Sequence, residues 1–300
     1  MTISTNSVDN NMLSQIENLS SQESQLQTQV STGLRISAPS DDPTTYGMVM
    51  GEDAEGNAIN QYSSNATAAL AINQASSSAL TQINAIATQA SEIATTGSGT
   101  ISPSEMSAYG TEVDQLLQEA VQIGNSQFNN SYLFSGTAVT TPPYAVTANA
   151  SGQITAVTYN GNASQAPIPL SSTSTIVPGS DSTTNQSLTA FMNGLISLRD
   201  ALNSGNTSAV SAAQSSLTSS QNTIINGVSE LGAIQTRITV AQSQQTSMSQ
   251  TLGQLVSNQT SADLATTVVK LTQAQNAYQA AVQSAASLMQ HDLLTYIAVQ

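Results

Sequence analysis

The sequence predicts a mainly α chain with a small β insertion, a folded-back helical bundle whose two ends are coiled-coil helices. Three observations predict it. Heptad patterns occur at both termini, apolar residues recur at steps of three and four along most of the remainder, and a Thr-, Val- and Gly-rich middle shows strand-like alternation. Two helices far apart in sequence, each apolar along one narrow seam, can satisfy that seam only against each other or against another molecule. The expected function is assembly rather than chemistry in a pocket.

At the N-terminus Leu13, Ile16, Leu19, Leu26 and Val30 form a stripe interrupted at Gln22 and Glu23. At 1.5 Å per residue this helix would be roughly 40 Å long. The segment STGLRISAPSDDP follows, from Ser31 to Pro43. Its Asp41 and Asp42 lie between Pro39 and Pro43, which makes them turn and capping residues for orphan backbone N–H groups rather than a metal or acid–base dyad. From Tyr46 to about Thr95, Ile59, Tyr62, Ala66, Ala69, Ile83, Ile86, Ala90 and Ile93 mark the buried face of a long helix. The break GSGTISPSE ends it. There Ser102 is placed as an N-cap, Pro103 as the first helical residue and Glu105 as the returning member of a capping box. Met106, Tyr109, Val113, Leu116, Ala120 and Ile123 then repeat without a miss to a predicted end between Asn125 and Asn130.

Between Ser131 and Asp181 short alternating runs such as QITAVTYN are separated by turn signals at Ser151-Gly152 and Asn160-Gly161. No Asp, Glu, Lys, Arg or His occurs from Ala120 to Ser180. Helical spacing returns after Thr184, with Leu188, Phe191, Leu195, Leu198 and Leu202 on one face and a stop at Asn203 to Asn206. Val210, Leu217, Ile224, Leu231, Ile238, Gln245 and Leu252 then keep a strict seven-residue spacing, which favours a left-handed supercoil. The closing helix carries Leu264, Val268, Leu271, Tyr278, Val282, Ala285, Met289 and Tyr296 in one series, with Gln275 and Asp292 as its polar members. It would be roughly 50 Å long.

Composition excludes several functions. With four Lys and Arg against eighteen Asp and Glu, the net charge of −14 opposes any phosphate-backbone partner, so no nucleic acid is expected. No apolar run approaches the ~20 residues of a membrane span, so no membrane insertion is expected. The start MTISTNSVDN has neither the basic nor the apolar region of a secretion signal, and implies either a cytoplasmic protein or export by a route that reads no such signal. Cysteine is absent, so there is no disulfide or thiolate chemistry. The single histidine, His291, sits beside Asp292 on the closing helix, too solitary for a triad or a metal site. No catalytic residue, cofactor site or metal site is expected.

These residues resemble the bacterial flagellin superfamily. The signature segment is QVSTGLRISAPSDDP, carrying Gly33, Arg35, Asp41, Asp42 and Pro43; FNNSYLFSGT, with Phe134 and Gly136, is similar to the family's approach to its β domain. Within the superfamily the Asp-Asp-Pro turn, FNNSYLFSGT and the ending SADLATTVVKLTQAQNAYQAAVQSAASLMQHDLLTYI resemble the hook-filament junction (hook-associated protein 3) branch more than filament flagellin. The low charge departs from relatives, which puts salt-bridge descriptions of subunit contacts in doubt.

The resemblance implies a structural adaptor joining the flagellar hook to the filament, outside the cell, after export without a cleaved signal peptide. Its implied partners are further copies in a homo-oligomeric ring, the first hook-associated protein, flagellin and the filament cap, with an export chaperone and the flagellar type III apparatus on the way out. The subunit interface would comprise Leu13, Ile16, Leu19, Leu26 and Val30 with Leu264, Val268, Leu271, Tyr278, Val282, Met289 and Tyr296. Residues 1–40 with 262–300 would form a terminal coiled-coil domain, 41–136 with 184–261 a helical rod, and 137–183 a small β domain. Two other readings stand beside it: filament-forming flagellin, and a secreted adhesin or glycan-binding module suggested by the Thr- and Asn-rich middle. A metallopeptidase would need an HExxH pair that one histidine cannot supply.

Overall fold

A computed structural model describes the backbone of residues 2–298 and the side chains of residues 10–290. The side chains of His291, Asp292 and Tyr296 lie outside the described residues. In chain order the elements are α1 (Thr2–Thr32), α2 (Pro43–Gly97), α3 (Pro103–Gly124), β1 (Gln127–Phe128), β2 (Ser131–Tyr132), β3 (Tyr144–Ala148), β4 (Ile154–Tyr159), β5 (Ile168–Pro169), β6 (Thr175–Ile176), α4 (Ser182–Asn203), α5 (Thr207–Thr260) and α6 (Leu264–Ala298). The mainly α class with a small β insertion is what the sequence predicts. By contact the chain divides into two compact units, residues 1–57 with 249–300 and residues 58–248.

In the larger unit the seven-residue series is the backbone of the core. Val210, Leu217, Ile224 and Ile238 are fully buried, Leu231 nearly so, and Gln245 is buried with its amide donating to the Leu170 carbonyl. Full burial of each such aliphatic side chain contributes about 1.5–3 kcal/mol. Val210, Leu217, Ile224 and Leu231 meet Ile83, Ile86 and Ala90 of α2, Val113 and Leu117 of α3, and Leu188, Phe191, Leu195, Leu198 and Leu202 of α4 in one cluster, while Ile238 packs with Ala66, Ala69, Leu170 and Ile176 in a second. Around that core, amides and hydroxyls take the place that ion pairs fill in more charged proteins. Gln214 donates to Thr95 Oγ1, Gln221 to Thr88 Oγ1 and Gln242 to Thr67 Oγ1, joining α5 to α2. Among the described residues, ion pairs occur only where Arg199 meets Asp114 at 2.7 Å and Asp200 at 2.9 Å.

Local signals set the boundaries. Ser102 accepts from the Glu105 N–H while the Glu105 carboxylate accepts from the Ser102 N–H, the predicted capping box, with Pro103 following. Asn125 caps the far end of α3, and its side chain reads the edge of β3 by donating to the Tyr144 carbonyl and accepting from the Tyr144 N–H. Asn193 of α4 does the same for Val157 of β4, so helix amides occupy edges that would otherwise recruit another strand. The turn residues Gly152 and Gly205 take positive φ angles of 82° and 68°, at the predicted hairpin turn and helix stop. The β structure is three separate antiparallel two-stranded ribbons rather than one sheet, and the first of them, β1 with β2, precedes residues 137–183.

Candidate assembly interface

In the smaller unit α1 and α6 pack side by side. On α1 the protected positions are Met12, Ile16, Leu19, Glu23, Leu26 and Val30, at steps of four and three. Leu26 is the most deeply buried at 8% exposed, whereas Leu13 is 57% exposed and stands off this seam. Glu23 thus occupies a seam position rather than merely interrupting the stripe.

The corresponding face of α6 is not the whole of the predicted series. Thr267 and Ala274 are buried and Leu271, Tyr278, Ala281 and Ala285 half-buried, again at steps of four and three. Leu271, Tyr278 and Ala285 belong to the predicted series. The alternate positions are filled by Thr267, Ala274 and Ala281, whose small side chains give room for the larger Ile and Leu residues of α1. The other predicted column is left outside. Leu264 is 49% exposed, Val268 46%, Val282 41% and Met289 61%. A helix that carries a second apolar column beyond the one it buries has an unused contact surface.

The ends of the paired helices are tied by the signature segment. Gly33, at φ 72°, terminates α1 with its N–H on the Gln29 carbonyl. Its own carbonyl accepts from the Ala262 N–H, the Arg35 N–H donates to the Thr260 carbonyl, and Leu34 bridges Ser261 in antiparallel sense. The Arg35 guanidinium donates to the Gln259 carbonyl at 2.9 Å. The signature is thus the place where the N-terminal chain meets the turn between α5 and α6.

The two aspartates divide their work. Asp42 caps α2, accepting from the Thr44 and Thr45 N–H groups and from Thr45 Oγ1, with Pro43 as the first helical residue. Asp41 instead closes the preceding turn, accepting from the Ser37 and Ala38 N–H groups and from Gln25 of α1. Asp263 repeats the capping pattern at α6 with Ala265 and Thr266. Backbone donors hold the Asp41 carboxyl below the usual carboxylate range, and hydrogen bonds from Thr45 and Thr266 do so for Asp42 and Asp263. With folded values depressed, their contribution to the folded ends is complete above the ordinary value of 3.8 and is lost as pH falls through the lower folded values. Carboxyl-carbon NMR titration should place all three midpoints below 3.8; midpoints at or above it would remove the capping assignment.

Phe134 and Gly136 lie in the larger unit. Phe134 is fully buried and its carbonyl accepts from the Tyr159 hydroxyl. Gly136, at φ 66°, lies so close to Asn162 and the Ser164 carbonyl that a Cβ would collide with them. Among the described residues no group of three or more His, Asp or Glu side chains could hold a metal ion. Among them too, no helix is long and apolar enough to cross a membrane.

Comparison with known proteins places these features. Residues 3–139 match the bacterial flagellin N-terminal helical region. A flagellin of Clostridium tyrobutyricum is 32% identical over 143 residues, 46% of this chain and 37% of the flagellin's own length. In fold, a Vibrio parahaemolyticus structure described as a flagellar hook-associated protein superposes with a TM-score of 0.66 at 16% identity, covering 74% of this chain and all of that one. The flagellar hook associated protein-3 of Legionella pneumophila gives 0.57 at 13% identity, covering 70% of this chain and 98% of that one.

Proposed function

We propose that this chain, whose residues 3–139 match the N-terminal helical region of bacterial flagellin, is the adaptor between flagellar hook and filament, assembling as a ring through its terminal helices. The observation that carries this reading is the exposed column Leu264, Val268, Val282 and Met289 on α6, beside the face already packed with α1. A subunit that buried every apolar seam internally would have nothing to offer a neighbour. Fold likeness to hook-associated proteins supports the adaptor branch. On this reading residues 1–40 and 262–300 are the assembling part, and Gly33, Arg35 and the aspartates tie its two chain segments together. The partners are the first hook-associated protein below and the cap and flagellin above, reached after type III export with a chaperone.

Filament-forming flagellin is the second reading, favoured by the sequence likeness to the Clostridium flagellin. Deleting the gene separates the two. Loss of an adaptor leaves hooks without filaments while monomeric flagellin collects in the medium; loss of the flagellin itself leaves no such protein outside.

A further inference from the structure

A cavity of about 690 Å³ opens in the larger unit, between α2 and the strand-bearing chain that follows α3. That volume lies within the range of small-molecule sites, about 300–1,000 Å³. α2 lines it with the small residues Ser64, Ala68 and Ala71, β1 and β2 bring Phe128 and Tyr132, and the chain around β5 and β6 brings Ile168 and Val177. Its walls are held without a ligand. Asn129 and Asn130, at φ 49° and 62°, make the two-residue turn that joins β1 to β2. Opposite them, the fully buried Asn73 of α2 donates to the Pro178 carbonyl, and Gln165 to the Ser180 carbonyl. No Asp, Glu, Lys, Arg or His occurs from Gly56 to Ser91 or from Ala120 to Ser180, the two stretches that supply the whole lining.

We propose that this cavity binds an uncharged saccharide of about disaccharide size. The site uses none of the terminal helices, so it stands or falls apart from the adaptor reading. An ionised ligand would give up hydration here and find no counter-charge. A plain hydrocarbon fails for the opposite reason. Among the described residues the side chains of Ser64, Asn129, Ser131 and Tyr132 make no hydrogen bond within the chain, and Gln165 keeps its side-chain oxygen free to accept. An apolar occupant would strip water from these groups and leave them unpaired. Neutral amides and hydroxyls both donate and accept, which matches the vicinal hydroxyls of a sugar ring. The half-buried rings of Phe128 and Tyr132 offer apolar faces on which the C–H side of such a ring can pack.

Saturation-transfer NMR on the full-length protein, with maltose, cellobiose, lactose, N,N′-diacetylchitobiose and octyl glucoside as probes, tests the assignment. At least one disaccharide should receive transfer on its ring protons, with millimolar or tighter affinity. Ala68→Phe fills the cavity from an exposed helical position and should weaken that affinity at least about tenfold. Tyr132→Phe keeps the ring, removes only the hydroxyl, and should weaken it about fivefold. Both variants should retain the helix content and melting temperature of the parent. No transfer to any disaccharide, affinity unchanged in both variants, or transfer confined to the alkyl chain of octyl glucoside would overturn the site.

Discussion

Val282→Asp is expected to abolish incorporation of the protein into flagella while leaving the isolated chain folded. Val282 is 41% exposed in the free chain and belongs to the α6 column that α1 does not cover. In solution the aspartate stays hydrated, and helix content by circular dichroism should be unchanged. In an assembled seam the same carboxylate must be desolvated without a partner, at a cost of several kcal/mol per copy. On the adaptor reading that cost is repeated around a ring and exceeds what a weak lateral contact supplies. Export should continue, with the variant recovered from the medium. Leu271→Asp is the informative contrast, because Leu271 is already half-buried beside α1, and this variant should also loosen the terminal helices of the free chain. Normal incorporation of Val282→Asp would remove that column from the interface.

The second large effect concerns stability. Arg199 is 1% exposed, donating to Asp114, to Asp200 and to the Ile154 carbonyl of β4, so one guanidinium ties α3, α4 and the central ribbon together. Arg199→Met keeps the apolar stem but removes every donor, leaving the Asp114 carboxylate, 24% exposed, facing a site without its cation. Breaking a buried pair from one side costs about 3–5 kcal/mol. Asp200 is 60% exposed at its side chain, so Asp200→Asn should cost under about 1 kcal/mol. Chemical denaturation of the two variants checks the contrast; equal losses would mean that Asp114 and Ile154 contribute little.

Much of the fold is legible in the sequence because its helices are long and their spacing is regular. Every apolar member of the series from Val210 to Ile238 is buried, since a seven-residue repeat on a helix admits one packing face. The capping box at Ser102 and Glu105 was equally readable, being local chemistry. The interface was less so. A heptad series such as Leu264 to Tyr296 states that a helix has an apolar side, not which half of that side its own chain will cover. That depended on the small residues Thr267, Ala274 and Ala281, which hydrophobicity alone passes over. In the sequence Asp41 reads as a cap beside Asp42, and only the fold of the chain back onto Ser37, Ala38 and Gln25 gives it a separate turn. The charge of Arg199 hides it from a hydrophobic pattern, although its steps of four from Leu195 and three to Leu202 place it on the buried face.

The most direct test of the adaptor account is assembly from purified components. The full-length protein, held in sulfate with isolated hooks that carry the first hook-associated protein, should add as one short layer and stop, and without hooks it should form no long filaments. A ring subunit that meets unlike neighbours above and below has no reason to propagate. Long homopolymers growing from the hooks, or forming without them, would contradict the account and make the chain a filament-forming flagellin in function.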